Sequence, residues 1–562
     1  MQSDLPDILT TTEATLGTDL ADDVIEGMPA KTDPPVEGRA VALSRPLIIT
    51  GLIMATALSA LDVTIISTAL PTIVGVLGGL EFYPLVVAAF LLTATTTVPV
   101  YGKLSDMFGR KPIFLVGAGI FILGSALCGL AWDMPSLIAF RAMQGLGAGS
   151  IVPVSLTLIG DLFDVEERAR IQGVFGSVWG VSSIVGPLVG GAIVQFFDWR
   201  WAFFINVPVG ILSMLLIFLY LREPAIHTRQ RVDFGGAITL TVGMGLLLMA
   251  LQSGSQGGWL SPVTLLFWAG AIALLALFVM YERRAPAPIL SFDLLSRPVI
   301  AIPCLTGLLA GVVLIGYAAY VPLLVQGAWG GSPIEAGLIV APMSLGWPIA
   351  SATSGRLIKR VGYFPLVATG MSLVCTGTLL LLAVGLVSDI SLKAAITLVA
   401  SAITGLGFGA STTTMLIALQ VSVPWSERGV ATASAQFFRN MGQAIGATVL
   451  GTILTLLLAP MLASERVRQA VAAMPPDALK AGGDPALGPA NALFDLDLRP
   501  TLAPDVVSAL ADALSNSLWW TFLAMLVIAV LGVLVASRFP RVVTPADRGA
   551  PAAPQVRPTS LE

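Results

Sequence analysis

The sequence predicts an all-α integral membrane protein of about fourteen transmembrane helices, arranged as two similar halves. Of its 562 residues, 56% are hydrophobic and only 11% are charged, whereas soluble domains carry about 25% charged residues. Apolar runs alternate with polar segments from Pro46 onward, and two of those polar segments resemble each other. The net charge of −4 leaves no basic surface for nucleic acid once the loops are assigned to sides of a membrane.

Each predicted helix is an apolar run near the roughly 20 residues that a helix needs to cross the hydrocarbon core. The predicted spans are 46–76, 84–101, 112–131, 136–159, 171–196, 201–221, 234–252, 262–282, 298–322, 334–354, 364–388, 393–415, 430–459 and 517–537.

Three segments lie outside these spans. Residues 1–45 are polar and rich in Asp, Glu and Pro, which predicts a disordered tail, and they lack the basic and apolar regions of a signal peptide. Residues 541–562 form a second tail. The long segment 460–516 contains Pro475-Pro476 and an amphipathic stretch at 505–515, which predicts a small cap or interfacial helix on the outer side.

The basic residues predict the orientation, because Lys and Arg are retained on the cytoplasmic side. Short loops assigned outside hold only Arg200 and Lys393. Both termini are therefore predicted to be cytoplasmic. The loops assigned inside hold Lys103, Arg110, Lys111, Arg168, Arg170, Arg222, Arg229, Arg231, Arg283, Arg284, Arg297, Arg356, Lys359, Arg360 and Arg428.

Cysteine and histidine usage argues against a metal or catalytic centre. Cys128, Cys304 and Cys375 lie far apart inside apolar runs, without disulfide or metal-ligand spacing. The single histidine, His227, lies in a charged loop. We therefore predict no metal, no cofactor and no enzymatic activity.

One short stretch, Gly102–Phe114, concentrates charge between two apolar runs. It holds Lys103, Asp106, Arg110 and Lys111. Its simplest interpretation is an ordinary cytoplasmic loop. The alternative depends on Asp106 among the cations, because such a cluster can form and break charge pairs between helices.

The chain also contains a repeat. GKLSDMFGRKP (102–112) aligns with GRLIKRVGYFP (355–365). Gly145-Leu-Gly-Ala-Gly matches Gly405-Leu-Gly-Phe-Gly, and Glu167-Arg168 matches Glu427-Arg428, both at an offset of 260 residues. Matching loops in two halves are typical of transporters built from parallel repeats.

The repeat predicts the domain organisation. A first six-helix bundle covers 46–225, two inserted helices cover 230–285, and a second six-helix bundle covers 298–540.

Asp62 stands in the middle of the first apolar run, in SALDVTIISTALP. A carboxylate at that depth is costly and usually faces a cavity or a partner. It is interpreted either as a proton-binding or substrate-contacting group, or as a structural acid hydrogen-bonded to neighbouring helices.

Arg141 lies early in the fourth helix, within LIAFRAMQGLGAGS, and is followed by Gln144. Inserting an arginine at a helix centre costs roughly 2.5–3.5 kcal/mol, which favours a position inside the bundle. A snorkelling arginine near the outer interface is the alternative.

The fifth helix contains small residues and a proline, in Ser182-Ser-Ile-Val-Gly186-Pro187-Leu-Val-Gly190-Gly191. Small residues allow close helix packing, and proline frees backbone groups and kinks a helix. From the residues alone, this pattern is consistent with a generic kinked helix.

Several other residues are weaker candidates for a central cavity. Arg439 lies deep in the thirteenth helix, where pairing, lipid contact and a transport role are all open. Glu335 opens the tenth helix and is also consistent with an interfacial acid. The remaining candidates could line a cavity or simply face lipid and neighbouring helices: Trp179, Tyr317, Met343 and Trp347.

Together these motifs resemble the major facilitator superfamily. The stretch after the second helix resembles its signature Gly-x-Leu-x-Asp-x-x-Gly-Arg-Lys, with Met107 at a position that is often basic. Arg141, Gln144 and Gly145 match an Arg-x-x-x-Gly motif associated in the family with proton coupling. The matched signature residues are Gly102, Leu104, Asp106, Gly109, Arg110 and Lys111.

The fifth helix resembles the family's antiporter motif Gly-x-x-x-Gly-Pro-x-x-Gly-Gly, with Ser182 replacing the first glycine. This motif favours export over uptake. LDVTIISTALP, the inserted helices and the long outer loop resemble the fourteen-helix drug:proton antiporter branch.

The resemblance implies a proton-coupled multidrug efflux transporter that exports amphipathic or cationic compounds by alternating access. Asp62, Arg141 and Gln144 would couple protons to substrate, and the Gly102–Lys111 cluster would gate the cytoplasmic side. The proton gradient would be the driving force. The expected setting is a bacterial inner membrane, with a small-molecule substrate, protons and lipid as partners, a periplasmic adaptor protein as a further candidate, and a monomeric state.

Two other classes stay open. A transporter of one endogenous metabolite or lipid, in either direction, would show narrow competition in a transport assay. A membrane enzyme or sensor would need a catalytic cluster or a soluble domain, and the sequence contains neither.

Overall fold

The computed structural model describes residues 41–42, 44–163, 165–223, 234–285, 290, 292–423, 428–472, 487–496 and 498–540. These residues form an all-helical bundle with one minimal sheet. Thirteen described helices are long and apolar enough to cross a membrane, and α5 is the fourteenth long helix. The predicted all-α membrane fold is confirmed. Residues 1–40 of the predicted tail 1–45, and the whole of the predicted tail 541–562, lie outside the described residues.

The fourteen long helices follow one another along the chain, and short helices at Trp201–Phe204 and Glu465–Ala472 lie between them. The long helices are α1 Arg45–Leu77, α2 Tyr83–Phe108, α3 Arg110–Gly129, α4 Met134–Leu162, α5 Val165–Phe196, α6 Asn206–Tyr220, α7 Phe234–Gly257, α8 Pro262–Glu282, α9 Pro298–Leu323, α10 Pro333–Val361, α11 Tyr363–Ala383, α12 Ile390–Ser422, α13 Arg428–Leu462 and α14 Pro504–Ala536.

The two halves use the same helix packing. In the first half, α1 packs on α5 and α6, while α2 and α3 pack on α4. In the second half, α9 packs on α13 and α14, while α10 and α11 pack on α12. The helix contacts therefore repeat at the spacing that the sequence repeat predicts.

The halves meet along two equivalent seams, α5 against α10 and α13 against α2. The inserted helices α7 and α8 pack on each other, and α7 also contacts α2 and α13. We call the end of the bundle that holds residues 102–111 the motif end, and the end where α1 stops and α2 starts the far end.

Helix boundaries differ from the prediction in two informative places. The second helix was predicted to end at residue 101, but α2 continues to Phe108, because a helix can extend past the apolar run that hydropathy detects. The last helix was predicted to begin near 517, but α14 begins at Pro504. The amphipathic stretch 505–515 is thus the first part of α14, and not a separate cap.

The only sheet in the described residues pairs strand β1, Val41–Ala42, with strand β2, Leu221–Arg222, in antiparallel register. Residues 41–42 were predicted to belong to a disordered tail. Their backbone groups instead pair with the segment that follows α6.

Candidate functional site: a buried ion pair and two helix seams

The first half encloses an ion pair between α1 and α4. Arg141 donates through Nη1 to Oδ2 of Asp62 at 2.7 Å. Asp62 is 0% exposed and Arg141 is 1% exposed. The predicted alternative of a snorkelling arginine is wrong, because the side chain is enclosed by protein instead of reaching a membrane surface.

Two amides complete the carboxylate's hydrogen bonds. Gln144 donates to Oδ1 of Asp62 at 2.8 Å, and its own Oε1 accepts from Arg141 Nη1 at 2.6 Å. Asn206, at the start of α6, donates to the same Oδ1 at 2.9 Å and lies 3.0 Å from the Ser125 hydroxyl. Sequence reasoning did not single out Asn206, which lies next to a loop and looks like an interfacial polar residue.

Aromatic rings cover the cation. The Arg141 guanidinium carbon lies 4.2 Å from the centre of the Phe90 ring on α2. Its Nε is buried without a hydrogen-bond partner. The two opposite charges are therefore enclosed together by protein, and protonation of Asp62 would leave Arg141 as a buried cation without a counter-charge.

The charged signature stretch lies at the junction of α2 and α3. Gly109 has a φ of 96°, a conformation that favours glycine, and α3 begins at the next residue. The described contacts tie the stretch to the end of α6 in the same half. The side chain of Asp106 lies outside the described residues.

Glu223 caps the start of α3. Its two carboxylate oxygens accept from the backbone N–H groups of Arg110 at 2.9 Å and Lys111 at 2.7 Å. Lys111 Nζ donates back to the carbonyls of Phe218 at 2.8 Å and Leu221 at 2.6 Å. A carboxylate at a helix N-terminus is favourable, so this reciprocal clamp fixes α3 to α6. Sequence analysis did not single out Glu223.

The glycines of the antiporter motif let α5 lie between α1 and α10. A Cβ at Gly186 would meet the Thr64 hydroxyl of α1, and a Cβ at Gly190 would lie 2.6 Å from the Ile65 carbonyl. On the other side, a Cβ at Gly191 would lie 2.6 Å from the Pro333 carbonyl of α10. The Pro187 carbonyl accepts from Thr68 Oγ1 at 3.3 Å.

The profile of the Major Facilitator Superfamily matches residues 52–447. The chain belongs to the major facilitator superfamily. It is a transporter and not an enzyme.

The superfamily relatives include proteins with drug-related names. The chain is 40% identical over 411 residues to the multidrug transporter protein MdtP of Bacillus subtilis, covering 73% of this chain and 75% of that protein. It is 34% identical to multidrug resistance protein 3 of the same organism, covering 87% and 94%. It is 31% identical to the efflux pump dotC of Dothistroma septosporum, covering 90% and 86%.

Solved structures of the superfamily share the fold. A bacterial homologue of the human lysosomal transporter Spinster, in an inward-facing and occupied conformation, superposes with a TM-score of 0.61 at 16% identity, covering 89% of this chain and 99% of that one. A D-xylose–proton symporter gives a TM-score of 0.54 at 14% identity, covering 89% and 99%.

Hydrogen bonds between described residues of the two halves close the far end of the bundle. Gln326, in a π-helical turn after α9, donates to the Thr68 carbonyl at 3.0 Å and accepts from Thr72 Oγ1 at 3.2 Å. Tyr83 Oη donates to the Ala319 carbonyl. Arg499 Nη1 donates to the Gln326 and Gly327 carbonyls at 2.5 and 3.0 Å, and partial burial lowers the pKa of its guanidinium.

The other residues that were predicted to line a cavity differ in where they lie and in how exposed they are. Glu335 is exposed and forms a capping box with Ser332 at the start of α10, so the structure places it at a helix end. Tyr317 and Met343 are buried in the core at 0% and 6% exposure, and their role in lining a cavity stays a prediction. The Trp179 side chain lies outside the described residues.

Arg439 and Trp347 do come together. The Arg439 guanidinium carbon lies 5.7 Å from the Trp347 ring centre.

Among the described residues, no group of three or more His, Cys, Asp or Glu side chains could hold a metal ion.

Proposed function

We propose that the protein exports amphipathic compounds across a bacterial cytoplasmic membrane in exchange for protons. The names of its relatives, multidrug transporter and efflux pump, support export of diverse compounds. The buried Asp62–Arg141 ion pair is the observation that supports proton coupling. Asp62 is a protonatable carboxylate, and the ion pair with Arg141 exists only while that carboxylate is charged.

The proton step uses groups within hydrogen-bond distance. Protonation of Asp62 removes the negative charge that pairs with Arg141. The amide groups of Gln144 and Asn206 then remain as the hydrogen-bond donors to the neutral carboxylic acid. An unpaired buried cation is strongly unfavourable, so the helices that carry these groups must rearrange. Proton entry down the membrane potential supplies about 2.3 kcal/mol per charge per 100 mV.

The conformational step is alternating access between two halves, 46–225 and 298–540, with 230–285 inserted between them. The motif end would face the cytoplasm, as the basic residues favour, and both termini would lie there. The close far-end contacts at Gln326 and Gly191 support a state closed to the outside. The Lys111–Glu223 clamp would keep α3 fixed to the end of α6 as the cytoplasmic gate moves.

The test is transport in proteoliposomes with an imposed pH gradient. We expect dye accumulation driven by the gradient in wild type and none in Asp62→Asn. Competition by several unrelated amphipathic compounds is expected, whereas competition by one metabolite alone would favour a dedicated transporter. Accumulation that ignores the pH gradient would overturn proton coupling.

A further inference from the structure

The charged residues in the middle of the described transmembrane helices do not balance. Asp62 and Arg141 neutralise each other. Arg439, on α13, has no carboxylate within 4.0 Å among the described residues. Its Nε is buried without a hydrogen-bond partner. The second half therefore presents one unneutralised cation.

Arg439 lies among the helices of the second half that contact the first half. Its backbone carbonyl packs against Gly311 of α9, and its guanidinium lies over Trp347 of α10. Pro348, the next residue on α10, lies 3.6 Å from the position of a Cβ on Gly180 of α5. The three helices that surround Arg439, namely α9, α10 and α13, all contact the first half.

The side chains around Arg439 are rich in donors. Gln436 Oε1 accepts from Arg439 Nη2 at 2.8 Å. Asn440 Oδ1 accepts from Gln436 at 3.1 Å and from Gln443 at 3.3 Å. These contacts occupy two acceptor oxygens, while arginine has five N–H donors. A ligand that fits this stripe must bring acceptor oxygens.

An aromatic surface adjoins the donors. The Trp347 ring stacks on Phe408 with 5.4 Å between ring centres and 26° between planes. Both Arg439 and Trp347 are only partly buried. A planar apolar group could therefore rest beside Trp347 while its charged group reaches Arg439. Arg439 is about eleven residues into α13, far from the depth of lipid head groups.

We infer that Arg439 binds the anionic group of amphipathic substrates, such as a carboxylate, sulfonate or phosphate. Guanidinium groups bind such oxyanions in paired hydrogen bonds. The inference rests on the proposed export function and replaces the expectation of cationic substrates with one of anionic amphiphiles.

The experiment measures binding and needs no proton gradient. Purified protein in detergent is titrated with two dansyl amphiphiles of equal chain length, one ending in a carboxylate and one in a trimethylammonium group. We expect wild type to bind the carboxylate at least about tenfold more tightly, a difference of about 1.4 kcal/mol. Equal affinity for the two probes would overturn the inference.

Two variants and one control locate the preference. Arg439→Gln removes the cation, and Asn440→Asp places a competing carboxylate in the same stripe without changing side-chain size. Each is expected to abolish the tenfold preference. Arg466→Gln, a surface arginine that is 70% exposed, should retain it. An unchanged preference in folded Arg439→Gln or Asn440→Asp protein contradicts the inference.

The same material separates the two proposals. Charge-selective binding without proton-driven transport would contradict the proposed function and leave Arg439 as an anion site. Proton-driven transport with charge-indifferent binding would support the exporter and overturn the role of Arg439.

Discussion

The two halves of this transporter share their packing but not their chemistry. In α5, Gly186 and Gly191 allow close contact with α1 and α10; at the 260-residue offset, Gly446 and Gly451 of α13 do the same against Val312 of α9 and Pro84 of α2. Both seams are thus built from the same small residues.

The polar residues are different. At the same offset, Arg141 corresponds to Ser401 and Gln144 to Thr404, which are both buried at 0% exposure. Arg439 instead occupies the position that corresponds to Trp179. The first half has a buried ion pair, to which we assign the proton, and the second half has a partly buried arginine, to which we assign the ligand. Under these two proposals the duplicated scaffold supports movement, while coupling and recognition are divided between the halves.

The largest expected effect is at the buried pair. Arg141→Ala leaves Asp62 as an unpaired buried charge, and breaking such a pair costs about 3–5 kcal/mol. The double variant Asp62→Asn with Arg141→Gln removes both charges and should recover most of that stability without recovering transport. Size-exclusion profiles after heating in detergent measure it, and a fully stable Arg141→Ala protein would contradict the pairing.

The seam glycines are expected to have the next largest effect. Gly191→Val and Gly451→Val each place atoms against the opposite half, and overpacking typically costs about 1–3 kcal/mol. The two variants should shift the protein toward a state open at the far end by similar amounts. Gly355→Ala is the control, because Gly355 is exposed on α10 and a Cβ there meets nothing within 4 Å.

Spin labels measure that opening. Leu130, after α3, and Leu386, after α11, are 62% and 83% exposed and lie at the far end on opposite halves. Labels at these positions should move apart in both valine variants. Unchanged distances would show that the seams tolerate the added side chains.

Arg439→Gln should affect stability much less than Arg141→Ala. No carboxylate among the described residues loses its partner, so the change in unfolding free energy should stay within about 1 kcal/mol. The same heating assay compares the two arginines directly. A loss as large as that of Arg141→Ala would mean that Arg439 has an essential structural partner.

The smallest expected effect on stability is at the N-terminal caps of α4 and α12, where each half uses an aspartate. Asp133 begins α4 by accepting from Ser136 N at 2.8 Å, and Asp389 begins α12 by accepting from Leu392 N at 2.7 Å. Hydrogen bonds from the side chain and backbone of Ser136 lower the pKa of Asp133. Its contribution is therefore full above the unfolded pKa of about 3.9 and is lost as pH falls through the folded value.

Asp133→Ala should accordingly be slightly less stable than wild type at neutral pH. The difference should shrink as the pH is lowered toward and below the folded pKa of Asp133. Thermal stability measured across that range tests this, and a difference that grows on acidification would contradict it.

The sequence predicted the buried residues better than their partners. Asp62 and Arg141 were evident because charges are rare in apolar runs, and Gln144 follows Arg141 by three residues on one helix face. Asn206 and Glu223 escaped because each lies at a helix end beside polar residues, where hydropathy gives no contrast. Only the packing of α1, α3, α4 and α6 brings them to the site.

The positions of two helix ends could not be predicted from the sequence either. The extension of α2 to Phe108 and the early start of α14 at Pro504 occur where polar or amphipathic residues continue a helix that the membrane signal does not cover. The far-end role of Gln326 depends on a contact across 258 residues of sequence, which no local pattern indicates.

The most direct test of proton coupling is proton release on substrate binding. Purified protein in weakly buffered detergent solution is mixed with a saturating amphipathic substrate, and a pH-sensitive dye reports the protons released. We expect protons to be released by wild type and none to be released by an Asp62→Asn protein that still binds the substrate. Equal release from both proteins would show that another group carries the proton and that the Asp62–Arg141 pair is structural.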